Sequence, residues 1–231
     1  MDNVFFTEPG NIYGNQLELE GQEARHAAKV LRFNIGDQLF ASDGKGNRYR
    51  TKVTSISKNS VLADIEETTS HPESRVKKVL AFGAIKKRDR LEFAVEKAVE
   101  LDAWEICVFD ADHSERSRVN EERLRSIVLS AFKQSKRYWL PKVVYKDSLD
   151  EVFKDYQGFN PVMAHMEVEE NRADKLNEGN NLLLVGPEGG FSDREIELAK
   201  ENGTAFISLG KYRLRAETAV TAILSQFLFT R

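Results

Sequence analysis

Apolar and polar residues follow one another with two different periods along this chain, and the change falls near residue 70. Before it, short runs at 38–42, 48–57 and 60–66 read as strands. Asp43-Gly44-Lys45-Gly46-Asn47 between the first two predicts a hairpin turn. One segment here, 23–33, has Ala27, Val30 and Leu31 spaced to share a helix face. The expectation is a small β-barrel over 1–72, closed off by a polar connector at 66–74.

Beyond the connector, strand-like and helix-like segments alternate. Strands are predicted at 79–85, 104–109, 142–145, 161–166, 182–185 and 205–209, and helices at 89–101, 121–137, 148–156, 192–201 and 217–229. Such alternation predicts an α/β domain over 73–231, with a largely parallel sheet covered by helices on both faces. Ligands of such sheets collect at the carboxyl ends of the strands.

Length and composition narrow the class without naming a function. The 231 residues allow one large domain or a small one plus a medium one, with 41% hydrophobic and 31% charged residues, as in globular proteins. No apolar run reaches about 18 residues, and MDNVFFTEPGN has neither the basic start nor the apolar stretch of a signal peptide, so a cytoplasmic protein is expected. Cys107 is the only cysteine and sits in the apolar run WEICVF, which excludes a disulfide framework and a cysteine-based metal site; no metal is expected. The net charge of −3 argues against a uniformly basic surface. The cations are bunched, however, at Lys86-Lys87-Arg88 with Arg90, at Arg116 with Arg118, at Lys133 with Lys136-Arg137, and at Lys211 with Arg213 and Arg215. Each bunch alone reads as a solvated helix end, whereas together they fit RNA or another polyanion.

Two loops carry the candidate chemistry. Leu182 to Val185 leads into Gly186-Pro187-Glu188-Gly189-Gly190, where glycines permit positive φ and close approach of a ligand to backbone, Gly189 being the expected point of both. Ser192-Asp193-Arg194-Glu195 then has capping-box spacing, so unpaired helix N–H groups follow closely. The pattern is neither a Walker loop nor G-x-G-x-x-G, and a strand, turn and helix are often simple chain reversal. The second loop, in ISLGKYRLRAETAVTAILSQ, sets Lys211, Arg213 and Arg215 at alternate positions before Glu217, with Ala216, Ala219 and Ala222 leaving room for close approach.

Leu184-Val185-Gly186-Pro187-Glu188-Gly189-Gly190 and Leu209-Gly210-Lys211-Tyr212-Arg213-Leu214-Arg215-Ala216-Glu217-Thr218-Ala219 resemble the two C-terminal signatures of the RsmE family, the 16S ribosomal RNA uridine-N3 methyltransferases of the SPOUT superfamily. His26-Ala27-Ala28-Lys29-Val30-Leu31-Arg32, the helix 87–101, Ser114-Glu115-Arg116-Ser117, and Gln134-Ser135 with Arg137 and Pro141 resemble further family motifs in the same order. Ala216 departs from the family's usual threonine, Lys133 from glutamate and Asp102 from glycine.

The resemblance implies a PUA-like RNA-binding barrel at 1–72 and a methyltransferase domain at 73–231 with a deep trefoil knot, working as a homodimer on 16S rRNA within the small ribosomal subunit. It implies S-adenosylmethionine held by Met163, Ala164 and His165, by Val185, Gly186, Pro187, Glu188, Gly189 and Gly190, and by Leu209, Gly210, Leu214, Arg215, Ala216, Thr218 and Ala219. With the basic clusters, it makes His26, Arg32, Arg88, Arg116, Arg118 and Arg137 the candidates for RNA contact. Uracil N3 is a poor nucleophile while protonated, so the expected catalytic pair is Arg215, which would stabilise charge on a uracil carbonyl, and Glu217, which would orient Arg215 or accept a proton. For Glu217 a helix-terminal salt bridge is an equal alternative, and His26 and His165 are further candidate bases. Two other readings stay open: methyl transfer to another RNA, and a ribosome-assembly factor that binds RNA without catalysis.

Overall fold

The computed structural model describes residues 3–115, 119–168 and 179–228. The chain forms two compact units, one of Met1–Ser74 with Phe132–Leu140 and one of Arg75–Ala131 with Pro141–Arg231.

In the first unit, β1 (Val4–Phe6), β2 (Ile12–Tyr13), β3 (Gln16–Glu20), β4 (Gln38–Ser42), β5 (Asn47–Ile56) and β6 (Ser60–Ser70) form one sheet in the order β1-β4-β5-β6-β3-β2. Only β1–β4 is parallel; the other neighbours are antiparallel. Leu17 with Leu19, Leu39 with Ala41, and Val61 with Ala63 place alternate side chains in the core, the period-2 pattern of a strand with one buried face. β6 runs on to Ser70, so much of the expected connector is strand: its polar residues pair with β5, and Arg50 holds Glu66 at 2.6 Å and Glu67 at 3.1 Å across the ladder.

The predicted helix at 23–33 also differs. α1 (Gly21–Arg25) passes into a π-turn at His26–Val30, where the Leu31 N–H donates to the carbonyl of His26 at 3.0 Å. That wider turn rotates the following residues off the helix face. Ala24 and Ala27 are buried while Val30 stands 67% exposed, and the chain then breaks at Arg32 with φ 57°.

The second unit alternates β7 (Lys78–Gly83), α2 (Arg88–Glu100), β8 (Glu105–Phe109), α3 (Glu121–Ser135, which from Phe132 on belongs to the first unit), β9 (Lys142–Lys146), α4 (Leu149–Asp155), β10 (Asn160–Ala164), β11 (Asn181–Val185), α5 (Asp193–Glu201), β12 (Ala205–Ile207) and α6 (Ala216–Ser225). The sheet is parallel throughout, in the order β12-β10-β11-β7-β8-β9. Every residue of β8 and β11 is buried, as expected for a sheet covered on both faces. Cys107 is core, and burial, with the Glu105 carboxylate near it, pushes its thiol up to about 12. From β7 the chain lays β8 and β9 on one side, then places β10 and β12 on the other with β11 inserted between β10 and β7. The order therefore reverses at β7 and β11, the kind of point where such sheets open a crevice at their carboxyl ends.

Candidate active site

At those carboxyl ends, three segments distant in sequence surround a cavity of about 770 Å³, within the usual range for a small-molecule site. Ala164 and His165 follow β10; Val185, Gly186, Pro187, Glu188, Gly189 and Gly190 finish β11 and its turn; Leu209, Gly210, Leu214, Arg215, Ala216 and Ala219 lead into α6. Met163 and Thr218, expected with them, do not line it. Met163 is fully buried in the sheet core, and Thr218 is exposed on α6. Sequence reasoning did not single out Met166, Glu167, Phe191, Ile196 and Tyr212 for this wall, which Asp193 and Arg213 complete. The His165 Nδ1 lies 2.9 Å from the carbonyl of Glu167.

The glycine turn keeps its shape through neighbours on both sides. A Cβ on Gly83, the last residue of β7, would stand 2.5 Å from Cδ and 2.8 Å from N of Pro187. A Cβ on Gly189 would stand 2.8 Å from Cβ of His113. The positive φ falls at Gly190, at 76°, and not at Gly189 as expected, so Gly189 is small because another loop lies against it. Arg213 donates from Nη2 to the Glu188 carbonyl at 2.9 Å, tying the loop before α6 to the same turn.

The loop carrying His113 is itself clamped. The Asp112 carboxylate accepts from Arg194 Nε at 2.9 Å and Nη2 at 2.8 Å and from the Ser192 hydroxyl. The Asp112 N–H donates to Glu195 Oε1 at 3.1 Å, while Ser192 and Glu195 complete the expected capping box on α5. Hydrogen bonding from Arg194, then from Ser192, holds the Asp112 carboxyl down from an ordinary 3.8 to about 2. The unfolded chain therefore takes up this proton before the folded protein does. The clamp's contribution is complete above about pH 4 and is lost as pH falls towards about 2. Because the Asp112 side chain is 36% exposed, the contribution stays below about 1 kcal/mol. Asp112→Asn should melt a few degrees below wild type at pH 7, and the gap should close across that acidic window; equal melting temperatures at pH 7 would show the clamp to be energetically silent.

Arg215 is the N-cap residue of α6 and exposed, and among the described residues its guanidinium has no ion-pair partner. Glu217, two residues on, does not line the cavity. Its carboxylate turns to Arg90 of α2 at 3.5 Å, and its Oε2 is buried without a hydrogen bond among the described residues. The cation bunches of the sequence are likewise dispersed: Lys86 pairs with Glu115, Arg88 with Glu92 at 2.6 Å, and Lys133 with Glu23. His26 lies beside the Phe5 ring at 5.7 Å, Arg32 and Arg88 are exposed, and Arg137 is half-buried. Arg116 and Arg118 lie outside the described residues.

Residues 72–228 match the family model of an RNA methyltransferase domain, and residues 19–66 that of an RNA methyltransferase PUA domain. A ribosomal RNA small subunit methyltransferase E of Mycobacterium bovis is 31% identical over 96% of this chain and 89% of its own. This chain belongs to the same family of RNA methyltransferases. The fold agrees with that of two family structures. A probable rRNA-methyltransferase from Porphyromonas gingivalis aligns with TM-score 0.87 and 29% identity over 98% of this chain and 97% of that one. A ribosomal RNA small subunit methyltransferase E from Neisseria gonorrhoeae, bound to S-adenosyl methionine, aligns with TM-score 0.85 and 27% identity over the same shares. As an RNA methyltransferase the chain needs a methyl-donor site and an RNA-facing surface. Among the described residues no helix is long and apolar enough to cross a membrane, and no group of three or more His, Cys, Asp or Glu is placed to hold a metal.

Proposed function

We propose that this chain transfers the methyl group of S-adenosylmethionine to N3 of one uridine in 16S ribosomal RNA, in the cytoplasm. The observation that carries the reading is the cavity at the carboxyl ends of β10 and β11, walled by the glycine turn and edged by the guanidinium of Arg215, which has no ion-pair partner among the described residues. The lining suits the cofactor. Leu209, Leu214, Ala216, Ala219 and Ile196 offer apolar surface to a purine ring, and the turn at 186–190 offers backbone polar groups that its glycines leave uncovered. When bound, S-adenosylmethionine supplies an electrophilic methyl carbon on a sulfonium.

The remaining work belongs to the chain. Arg215 addresses a uracil carbonyl and stabilises the negative charge that gathers there as N3 gives up its proton to solvent water. Arg213 holds the glycine turn and the loop before α6 in one arrangement, fixing the line along which N3 meets the methyl carbon. Glu217 is assigned a positioning role, since its carboxylate faces Arg90 and anchors the start of α6 to α2.

The same reading takes residues 1–72 as a PUA-like RNA-binding barrel and 73–231 as a SPOUT methyltransferase domain. The PUA-domain match supports the first. The trefoil knot is supported by connectivity: after β12 at the sheet edge, the chain returns past the glycine turn to pack α6 on α2 and β11. A homodimer is supported by Phe93 on α2, 44% exposed, and Leu228 beyond α6, 56% exposed. A monomer mass by light scattering at micromolar concentration would refute it. The decisive test of function is mass spectrometry of 16S rRNA from cells with and without the gene. One N3-methyluridine should vanish on deletion and return with the gene, and unchanged modification would refute the proposal.

A further inference from the structure

We infer that Tyr212 is the surface on which the target uracil stacks once it has left the RNA strand, an inference that rests on the methyl-transfer reading above. At 74% exposure Tyr212 is the most open large apolar side chain among the described residues, yet it lines the cavity. Its orientation has a cause. Tyr212 lies in the bend at 211–212, and the tie from Arg213 to the Glu188 carbonyl at 2.9 Å holds that bend at the mouth of the cavity with the ring left open.

What surrounds the ring fits a nucleotide. The Lys211 ammonium lies 5.8 Å from the ring centroid, and the exposed Arg215, which lines the same cavity, follows three residues later. An extruded nucleotide presents a planar base and a phosphate, which call for an aromatic face and for cations respectively. Stacking also suits the reaction, because it grips uracil by its faces and leaves the N3 edge free to point into the cavity. The cofactor's purine has apolar wall deeper in, at Leu209, Leu214 and Ala219. The exposed ring at the rim is thus left to the second substrate.

The test follows location of the methylated nucleotide by mass spectrometry. An RNA fragment carrying it, and the same fragment with that base removed, are titrated at fixed salt onto wild type, Tyr212→Ala and Tyr212→Phe, with S-adenosylmethionine titrated separately. Wild type and Tyr212→Phe should prefer the intact fragment, and Tyr212→Ala should shrink that preference at least about fivefold. Cofactor affinity and solution mass should not change. An undiminished preference in Tyr212→Ala overturns the inference. So does a fall in cofactor affinity, which would put the ring on the purine, or a change in mass, which would put it against a second copy. Failure of wild type to methylate the RNA would instead overturn the underlying reading, and that failure is seen without any variant.

Discussion

Gly83→Ala is expected to lower affinity for S-adenosylmethionine by at least about tenfold while leaving a cooperatively folded protein. The substitution adds one methyl group, whose carbon would stand 2.5 Å from Pro187 Cδ and 2.8 Å from Pro187 N. Neither partner can yield cheaply. Gly83 ends β7, a central strand paired to β8 and β11, and the proline ring is rigid. The displaced part is therefore the turn at 186–190, which forms a cavity wall. Overpacking of this kind costs about 1–3 kcal/mol, so melting should fall by several degrees. Gly10→Ala is the matched control, because no atom lies within 4 Å of the Cβ it would add. Calorimetric titration and thermal melting of both variants read the two effects separately. Wild-type cofactor affinity in Gly83→Ala would show that the turn does not hold the ligand.

Gly83 also shows where sequence reasoning ends. The glycine turn was legible because Gly186, Gly189 and Gly190 crowd together after an apolar strand, whereas Gly83 looks like an ordinary residue at the end of another strand. Its requirement comes from Pro187, which only the pairing of β7 with β11 brings beside it. Gly189 lines the cavity as expected, but it also has a neighbour that the sequence does not reveal. Its hydrogen faces His113 of a loop after β8, so Gly189→Val would unseat that loop as well as crowd the cavity.

The alternation of strands and helices was readable because burial on both faces demands continuous apolar runs, as in Leu182 to Val185. The short β1, β2 and β3 left no such run. The π-turn at His26–Val30 escaped because periodicity assumes a constant turn, and one wider turn was enough to expose Val30. Charge was the least legible property. Lys86, Arg88 and Arg90 form one cationic stretch on paper, but their partners Glu115, Glu92 and Glu217 come from three different elements or loops. Arg213 and Arg215 both line the cavity, and neither meets a carboxylate among the described residues, but Arg213 is engaged by the Glu188 carbonyl while the Arg215 guanidinium is not so held, a distinction that exists only in three dimensions.

That freedom makes Arg215 the position where substitution should cost most in chemistry and least in structure. Arg215→Ala should lower the rate of methyl transfer about 10²–10³-fold, the effect of removing one donor aimed at developing charge. Arg215→Lys should lower it at least about tenfold, because lysine keeps the charge but lacks the planar fork that presents parallel donors to a carbonyl. Both variants should fold normally, since the exposed side chain makes no cap hydrogen bond to α6. Binding should separate from chemistry. RNA held through phosphate contacts weakens with salt in wild type and variant alike, and cofactor affinity should stay near wild type if the guanidinium addresses the base. Single-turnover rates at saturating RNA and cofactor, set beside equilibrium titrations of each, measure the two quantities independently. If Arg215→Lys instead loses RNA affinity in proportion to its rate, the guanidinium positions the nucleic acid and stabilises nothing at the uracil, and the negative charge that develops as N3 loses its proton must be met by another group at the cavity.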